Sequence, residues 1–424
     1  MNEPIKVAIA GLGSRGRLAY AICQDRYPDL MKITAVADTL PERVKEAADV
    51  FSIPQNMCFS SGKEICQTKG LADVMFICTP DREHADMAIS ALKNGYHVLL
   101  EKPMAPTLDE CRRILKAADE SDKKTIVCHV LRYTPFYMEL KKVLESGQIG
   151  EIVSIQAMEN VGYWHQAHSF VRGNWRNASL SSPMILQKCC HDMDLLLWLT
   201  NKKLKSVSSF GNLYLFKAEN APKGTASRCL EGCKAKEDCP YDAEKIYITN
   251  ERTGILHGKT GWPNDVLALN PTQESILKAI KTGPYGRCVY HCDNDVPDHM
   301  IVNMNLEDGI SIAFTMTAFG QGSRHMHIMG TMGAITADLS ESKISITPFG
   351  KTSRLIDINI TSEDLQGHAG GDHRMIFDFL TMIKSGSGTA VTSIQSSTES
   401  HLACFAAEFS RLNGGVLVDV DNFS

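Results

Sequence analysis

Three glycines at the end of an apolar run carry the first chemical suggestion in the chain. In Val7-Ala8-Ile9-Ala10-Gly11-Leu12-Gly13-Ser14-Arg15-Gly16 the spacing G-x-G-x-x-G falls where a strand pattern gives way to a helix pattern. Gly11 suits a tight turn, Gly13 lets backbone approach a diphosphate, and Gly16 lets the helix pack close to the sheet. The helix start, with Ser14 and Arg15 beside it, offers free N–H groups and a partial positive charge to an anion. Asp38, 22 residues after Gly16, closes the next apolar run. A carboxylate there accepts hydrogen bonds from ribose hydroxyls and repels a 2′-phosphate. The pattern therefore predicts NAD rather than NADP, with Arg43 near enough in sequence to temper the preference.

Other reactive groups gather at the ends of later apolar runs, where ligands bind in sheets of this kind. Thr79 and Pro80 follow one run, and His84 begins the helix beyond, either beside the cofactor or on a helix surface. Glu101-Lys102-Pro103 closes another. Tyr163-Trp164-His165-Gln166-Ala167-His168, followed by Arg172, Trp175 and Arg176, mixes aromatic faces with imidazole and guanidinium donors. A polyol or an acidic sugar wants such a mixture, and a loop pinned by buried tryptophans would leave the same pattern. Cys229-x3-Cys233-x5-Cys239 collects three thiols. With Cys288, Cys292 or His257 as a fourth ligand they would suit structural zinc; reduced, packed cysteines are the alternative.

Positioning these groups takes more than one core. The 424 residues exceed a single ordinary domain. With 43% hydrophobic and 22% charged residues, the composition is that of a globular protein. Residues 5–10, 33–38, 74–79, 98–101 and 125–130 read as nearly continuous apolar strands alternating with helical patterns, which predicts a doubly wound parallel sheet. One helix announces itself by Thr107 and Glu110, spaced as a capping box. After about residue 150 the period becomes two. Met300, Val302, Met304 and Leu306 alternate, Asp308-Gly309 turns, and Ile310, Ile312, Phe314 and Met316 return, with Ile344/Ile346 and Ile356/Ile358/Ile360 further on. The expected class is α/β: an N-terminal Rossmann domain over residues 1–130, then a C-terminal α+β domain over 131–424. The second has an open, mainly antiparallel sheet, a cysteine-bearing insertion near 219–271 and two closing helices.

The combination of glycine loop, Thr79-Pro80 and Glu101-Lys102-Pro103 resembles the glucose–fructose oxidoreductase/inositol dehydrogenase/rhizopine catabolism (Gfo/Idh/MocA) family along essentially the whole chain. The resemblance implies an NAD(P)-dependent oxidoreductase working on a hydroxyl or carbonyl of a sugar, cyclitol or derivative. It assigns Lys102 and His191 to catalysis and places Thr79, Pro80, His84, Glu101 and Lys102 near the cofactor. A cis bond before Pro103 is also implied. Arg132 and Tyr133 fall on a strand leaving the Rossmann domain and lining the cleft. With Asp194, His165, Arg172, Trp175 and Lys188 they form the substrate set. Gln187 departs from the pattern, standing where the family carries an aspartate; glutamine exchanges no proton, which leaves Lys188 or Asp192 as substitutes. A redox-neutral glycosidase, oxidising and re-reducing one sugar through bound NAD, is the competing enzyme reading. A sensor that holds cofactor without turnover is the third.

Net charge of −5 gives no reason to expect nucleic acid or an anionic membrane as partner. No apolar run reaches the ~20 residues of a membrane span, and Met1-Asn2-Glu3-Pro4 leads straight into a strand pattern, so a cytoplasmic location is expected. An open sheet with one uncovered face predicts a homodimer or homotetramer formed through it.

Overall fold

The computed structural model describes residues 3–359 and 368–423; Met1, Asn2 and Ile360, used in the sequence reading, lie outside them. Six short strands make the first sheet: β1 (Ile5–Ala10), β2 (Met31–Ala37), β3 (Cys58–Phe59), β4 (Val74–Ile77), β5 (His97–Leu100) and β6 (Thr125–Val127). Their spatial order is β3-β2-β1-β4-β5-β6, every pair parallel. That is the Rossmann order, and its topological switch lies between β1 and β4. Val7–Ala10, Val74–Ile77 and Val98–Leu100 are fully buried because helices cover both faces. Thr107 accepts the Glu110 N–H and starts the helix Leu108–Asp119 as its sequence implies.

Nine strands form the second sheet: β7 (Ile152–Asn160), β8 (Leu204–Asn212), β9 (His299–Leu306), β10 (Ser311–Thr317), β11 (Ser323–Gly330), β12 (Gly333–Asp338), β13 (Lys343–Pro348), β14 (Arg354–Asp357) and β15 (Val418–Asp419). The order is β14-β13-β12-β11-β7-β10-β9-β8-β15, antiparallel apart from the parallel pair β7–β10. Met300, Val302, Met304 and Leu306 are buried and their neighbours face out, matching the period of two. Asp308 and Gly309 turn the hairpin with φ of 58° and 78°, the conformation that an Asp-Gly turn supplies. The helix Cys190–Thr200 covers the inner face and is apolar nearly all round, as a core helix must be.

Three features differ from expectation. Residues 130–133 form a single 3₁₀ turn, Val130–Tyr133, instead of extending a strand, because Thr134 and Pro135 open the next helix, Pro135–Glu145. The helix Gly371–Ser385 buries Met375, Ile376, Phe379 and Leu380 against Val7, Ile9 and Phe76, so a late segment completes the first domain's core. The insertion spans the whole connection from β8 to β9 and builds a core of its own from Phe216, Ile246, Tyr247, Ile276, Ile280 and Val289, packed on Ala167 and Val171. No helix among the described residues is long and apolar enough to cross a membrane.

Candidate active site

The glycine loop has the geometry its residues require. Gly11 has φ +94°, and a Cβ there would lie 2.7 Å from the Cys78 carbonyl carbon. A Cβ on Gly16 would come within 1.9 Å of the Gly11 oxygen, whereas one on Gly13 would touch nothing within 4 Å. Two glycines thus serve packing, and the third faces open space where a ligand's backbone contacts belong. Asp38 takes the Leu12 N–H (2.7 Å) on Oδ2 and the Leu40 N–H (2.9 Å) on Oδ1, with Arg43 3.6 Å away. A carboxylate has about four acceptor sites, so capacity for ribose hydroxyls remains. Open space at Gly13, a free helix start and this carboxylate fit a dinucleotide.

Other residues expected at the cofactor are held by the protein itself. Arg15 bonds Glu101 (2.6 Å) and makes a two-pronged contact with Asp372 (2.7 and 3.1 Å), while Tyr20 donates to Glu101 (2.5 Å). Those partners keep the Glu101 carboxyl below the usual carboxylate range against the opposing effect of burial. Glu101 also accepts the Lys102 N–H (3.0 Å), which braces the turn before the cis bond to Pro103. His84 is buried, its ring set between the carbonyls of Pro103 and Thr79 at 2.9 Å each, so it ties the β4 end to the Pro103 turn. Thr79 Oγ1 points to Met87 Sδ (3.4 Å), and Pro80 caps the turn Asp81–Glu83. Ser14 Oγ donates to Asp265 (2.9 Å), a residue of the insertion.

Lys102 and His191 meet at the carboxyl edge of the first sheet. Lys102 Nζ donates to the Gln187 carbonyl (2.7 Å), four residues before His191. His191 is 5% exposed and its Nδ1 has no hydrogen-bond partner. Burial lowers its pKa well below the ordinary histidine value, and the cation of Lys102 is the next cause. The ring is therefore neutral at physiological pH and able to accept a proton. His129 packs edge-on to it at 5.8 Å and continues to His401 at 5.7 Å; His368 approaches from the other side at 5.9 Å.

Gln187 does not stand in for an acid. Its amide donates to the buried Asp81 (2.6 Å), which Ser182 also donates to. Of the proposed substitutes, Asp192 is engaged by Arg324 at 2.8 Å. Lys188 lies 3.3 Å from Glu159, whose other oxygen meets Arg324 at 2.7 Å. Two carboxylates and two cations thus balance. Burial nonetheless lowers the Lys188 pKa, with Glu159 opposing that shift and Arg324 and Lys102 adding to it.

The expected substrate residues divide. His165 joins the cleft: Lys188 and Lys102 lower its pKa after burial does, and its ring stands edge-on to Trp262 at 4.7 Å. Lys188 lies there too. Arg132 and Asp194 do not reach substrate, since they form a buried two-pronged pair (2.7 and 2.5 Å) and Arg132 spends its remaining nitrogen on the Val391 carbonyl. Tyr133 is buried in the first core, 3.3 Å from Thr392 Oγ1. Arg172 is buried in the insertion and donates to the carbonyls of Arg287 and Tyr241 (2.7 Å each). Trp175 is half-exposed against Phe170 at 5.9 Å. Sequence reasoning missed Trp262 and Asp265, which lie in a polar insertion with no periodic pattern. It also missed Glu159 and Arg324, although each holds an inward, apolar-parity position of its strand, a signal that was legible. As for zinc, no three His, Cys, Asp or Glu side chains among the described residues are grouped to hold a metal ion.

Comparison with known proteins agrees with this architecture. Residues 5–129 match the profile described as "Oxidoreductase family, NAD-binding Rossmann fold", and residues 141–403 match "Oxidoreductase family, C-terminal alpha/beta domain". The oxidoreductase YteT of Bacillus subtilis (strain 168) is 23% identical over 386 residues, covering 87% of this chain and 81% of its own. Inositol 2-dehydrogenase of Salmonella paratyphi B is 26% identical over 49% of this chain and 57% of its own. Glycosyl hydrolase family 109 protein 1 of Bacteroides thetaiotaomicron is 28% identical over 41% and 38%. The fold is shared with an oxidoreductase domain protein from Kribbella flavida (TM-score 0.70, 16% identity, 99% of this chain and 100% of that one). It is shared as well with an oxidoreductase from Agrobacterium radiobacter in complex with NAD+, L-tartaric acid and magnesium (TM-score 0.68, 16% identity, 98% of each). Both profiles match in chain order, one on each sheet, and the first contains the glycine loop and Lys102 while the second contains His191: the chain belongs to the Gfo/Idh/MocA oxidoreductase family, with an NAD-binding Rossmann domain.

Proposed function

We propose that this oxidoreductase is an NAD-dependent dehydrogenase of a hydroxyl or carbonyl on a sugar, cyclitol or derivative. The observation that carries the reading is the meeting of Lys102, at the end of β5, with the segment that presents His191 and its unpartnered Nδ1. Bound NAD supplies a hydride acceptor or donor. Gly11, Gly13, Gly16 and Asp38 would hold it, and Asp38 favours NAD over NADP because a second phosphate would face its carboxylate. The protein's own task is the proton. His191, neutral and unpartnered, takes it from the substrate hydroxyl as the oxygen becomes alkoxide. Lys102 places a cation beside that oxygen and stabilises the developing charge. His165, Trp262 and Lys188 wall the cleft with two aromatic faces and one cation, surroundings that suit C–H and O–H groups of a polyol.

Lys102→Ala and His191→Ala are each expected to lower turnover by about a hundredfold or more, with NAD affinity nearly unchanged in titration. Near-normal turnover in both variants on an accepted substrate would reject the assignment and turn attention to Lys188.

The redox-neutral glycosidase is the second reading, supported by the relative of that class in Bacteroides thetaiotaomicron. It would use the same two residues with a leaving group at the neighbouring carbon. For assembly, Val153, Met158, Ile301 and Leu355 expose apolar surface on second-sheet strands, which favours a homodimer or homotetramer through that sheet. Fourteen free cysteines suit the reducing cytoplasm in which we place the enzyme.

A further inference from the structure

The cysteines of the insertion are a sequence motif that the dehydrogenase chemistry leaves unused, and the fold gathers four of them. Cys229, Cys233 and Cys239 come from the connection after β8, and Cys288 arrives from just before β9. All four line one enclosed cavity of about 10 Å³. Cys288 is within electrostatic reach of Cys229 and Cys233, and Cys239 of Cys229. Cys292 turns aside: its Sγ donates to the Cys288 carbonyl (3.2 Å), and it is not part of the cavity wall.

Hydrogen bonding, charge and size narrow what this cavity suits. Cys229 Sγ accepts from the Ala243 N–H (3.4 Å) and from Arg172 Nη2 (3.5 Å). The N–H groups of Tyr241 and Tyr290 are directed to Cys239 and Cys288, each two residues earlier. Neutral thiols are weak acceptors, whereas metal-bound thiolates collect such donors. Arg172 is 1% exposed, bonds only carbonyls and Cys229, and has its Nη1 unpartnered. Asp242, on the same wall, accepts the Lys245 N–H and makes no ion pair with it. A buried cation without counter-charge is costly, and a group of net negative charge held by thiolates beside it removes that cost.

Size then separates the metals. Zinc–sulfur bonds of about 2.3 Å draw four sulfurs together until no water-sized sphere fits among them. Here a sphere of that size does fit, and no three ligating side chains among the described residues are grouped for a single ion. A polynuclear core holds its cysteines further apart. We propose that Cys229, Cys233, Cys239 and Cys288 ligate an iron–sulfur cluster of the four-iron type, each thiol giving up its proton on ligation. The cluster fastens the two ends of the insertion that carries Trp262 and Asp265 to the cleft.

The test uses the full chain, purified without oxygen and reconstituted with ferrous iron, sulfide and a thiol reductant. Iron, acid-labile sulfide and zinc are then measured. The expected result is about four irons and four sulfides per chain, with broad visible absorption that dithionite bleaches. Cys288→Ser should lose at least half of the iron and Cys292→Ser none. If Cys288→Ser fails to fold, the wild-type stoichiometry decides alone. Wild-type protein that takes up neither iron nor sulfide, or that carries one zinc per chain, overturns the proposal, as does equal iron loss in the two variants.

Discussion

A carboxylate seated on a nucleotide loop is an awkward neighbour for a diphosphate. Asp265 accepts from Ser14 at 2.9 Å, its Oδ1 is buried without a partner, and burial raises its pKa. A negative charge this close to the helix start opposes an incoming anion by roughly 1–2 kcal/mol. Asp265→Asn keeps the contact with Ser14 and removes the charge, so NAD should bind about 5–30-fold more tightly in a fluorescence titration. Weaker binding would mean that the carboxylate orders the loop for the cofactor. Legibility at this scale followed reach. Lys102 and His191 were legible as motif residues, but the partners of Arg132 and Asp194 were not, because 62 residues separate them and each has the type expected of a substrate ligand. Only the fold shows that they neutralise one another.

The strand-to-helix element around the glycine loop makes a sharper claim than any one of its residues. Two of its glycines serve packing and one serves the ligand. Gly16→Ala would drive a methyl into the Gly11 oxygen at 1.9 Å and should destabilise the first domain by several kcal/mol. Gly13→Ala meets nothing in the protein, so thermal unfolding should be unchanged while NAD affinity falls. Calorimetry and cofactor titration of the two variants check this, and a Gly13→Ala protein with full affinity would remove Gly13 from the site. Period and capping made most elements legible: β1, β9, β10 and the helix starting after Thr107 follow from local pattern alone. The two-residue β3, the parallel pairing of β7 with β10, and the return of the helix Gly371–Ser385 to the first core are long-range choices. No local signal encodes them.

Across the whole molecule, buried histidines tie stability to pH. Burial lowers His401 and His168 to about 3 and depresses His129, His165 and His191 as well. Unfolded rings protonate near 6.5 and folded ones do not, so stability present above that pH is lost as it falls toward about 3. Asp192 and Asp194, pushed upward by burial, act in the opposite sense. Each ring contributes up to about 1.4 kcal/mol per pH unit. Urea unfolding at about pH 7 and about pH 5 should show that loss, and His401→Gln, though less stable overall, should show a smaller one. An equal loss in both proteins would mean that the ring is protonated in the folded state.

The most direct measurement follows both cofactor and product while the protein is incubated with NAD and a panel of sugars, cyclitols, their acids and aryl glycosides. Hydride leaving a polyol for good must accumulate as reduced nicotinamide. The account predicts net formation of reduced cofactor with at least one polyol, and its loss in His191→Ala. Release of the aryl leaving group with no net reduced cofactor would contradict it, because the hydride would then have returned to the sugar within the same turnover.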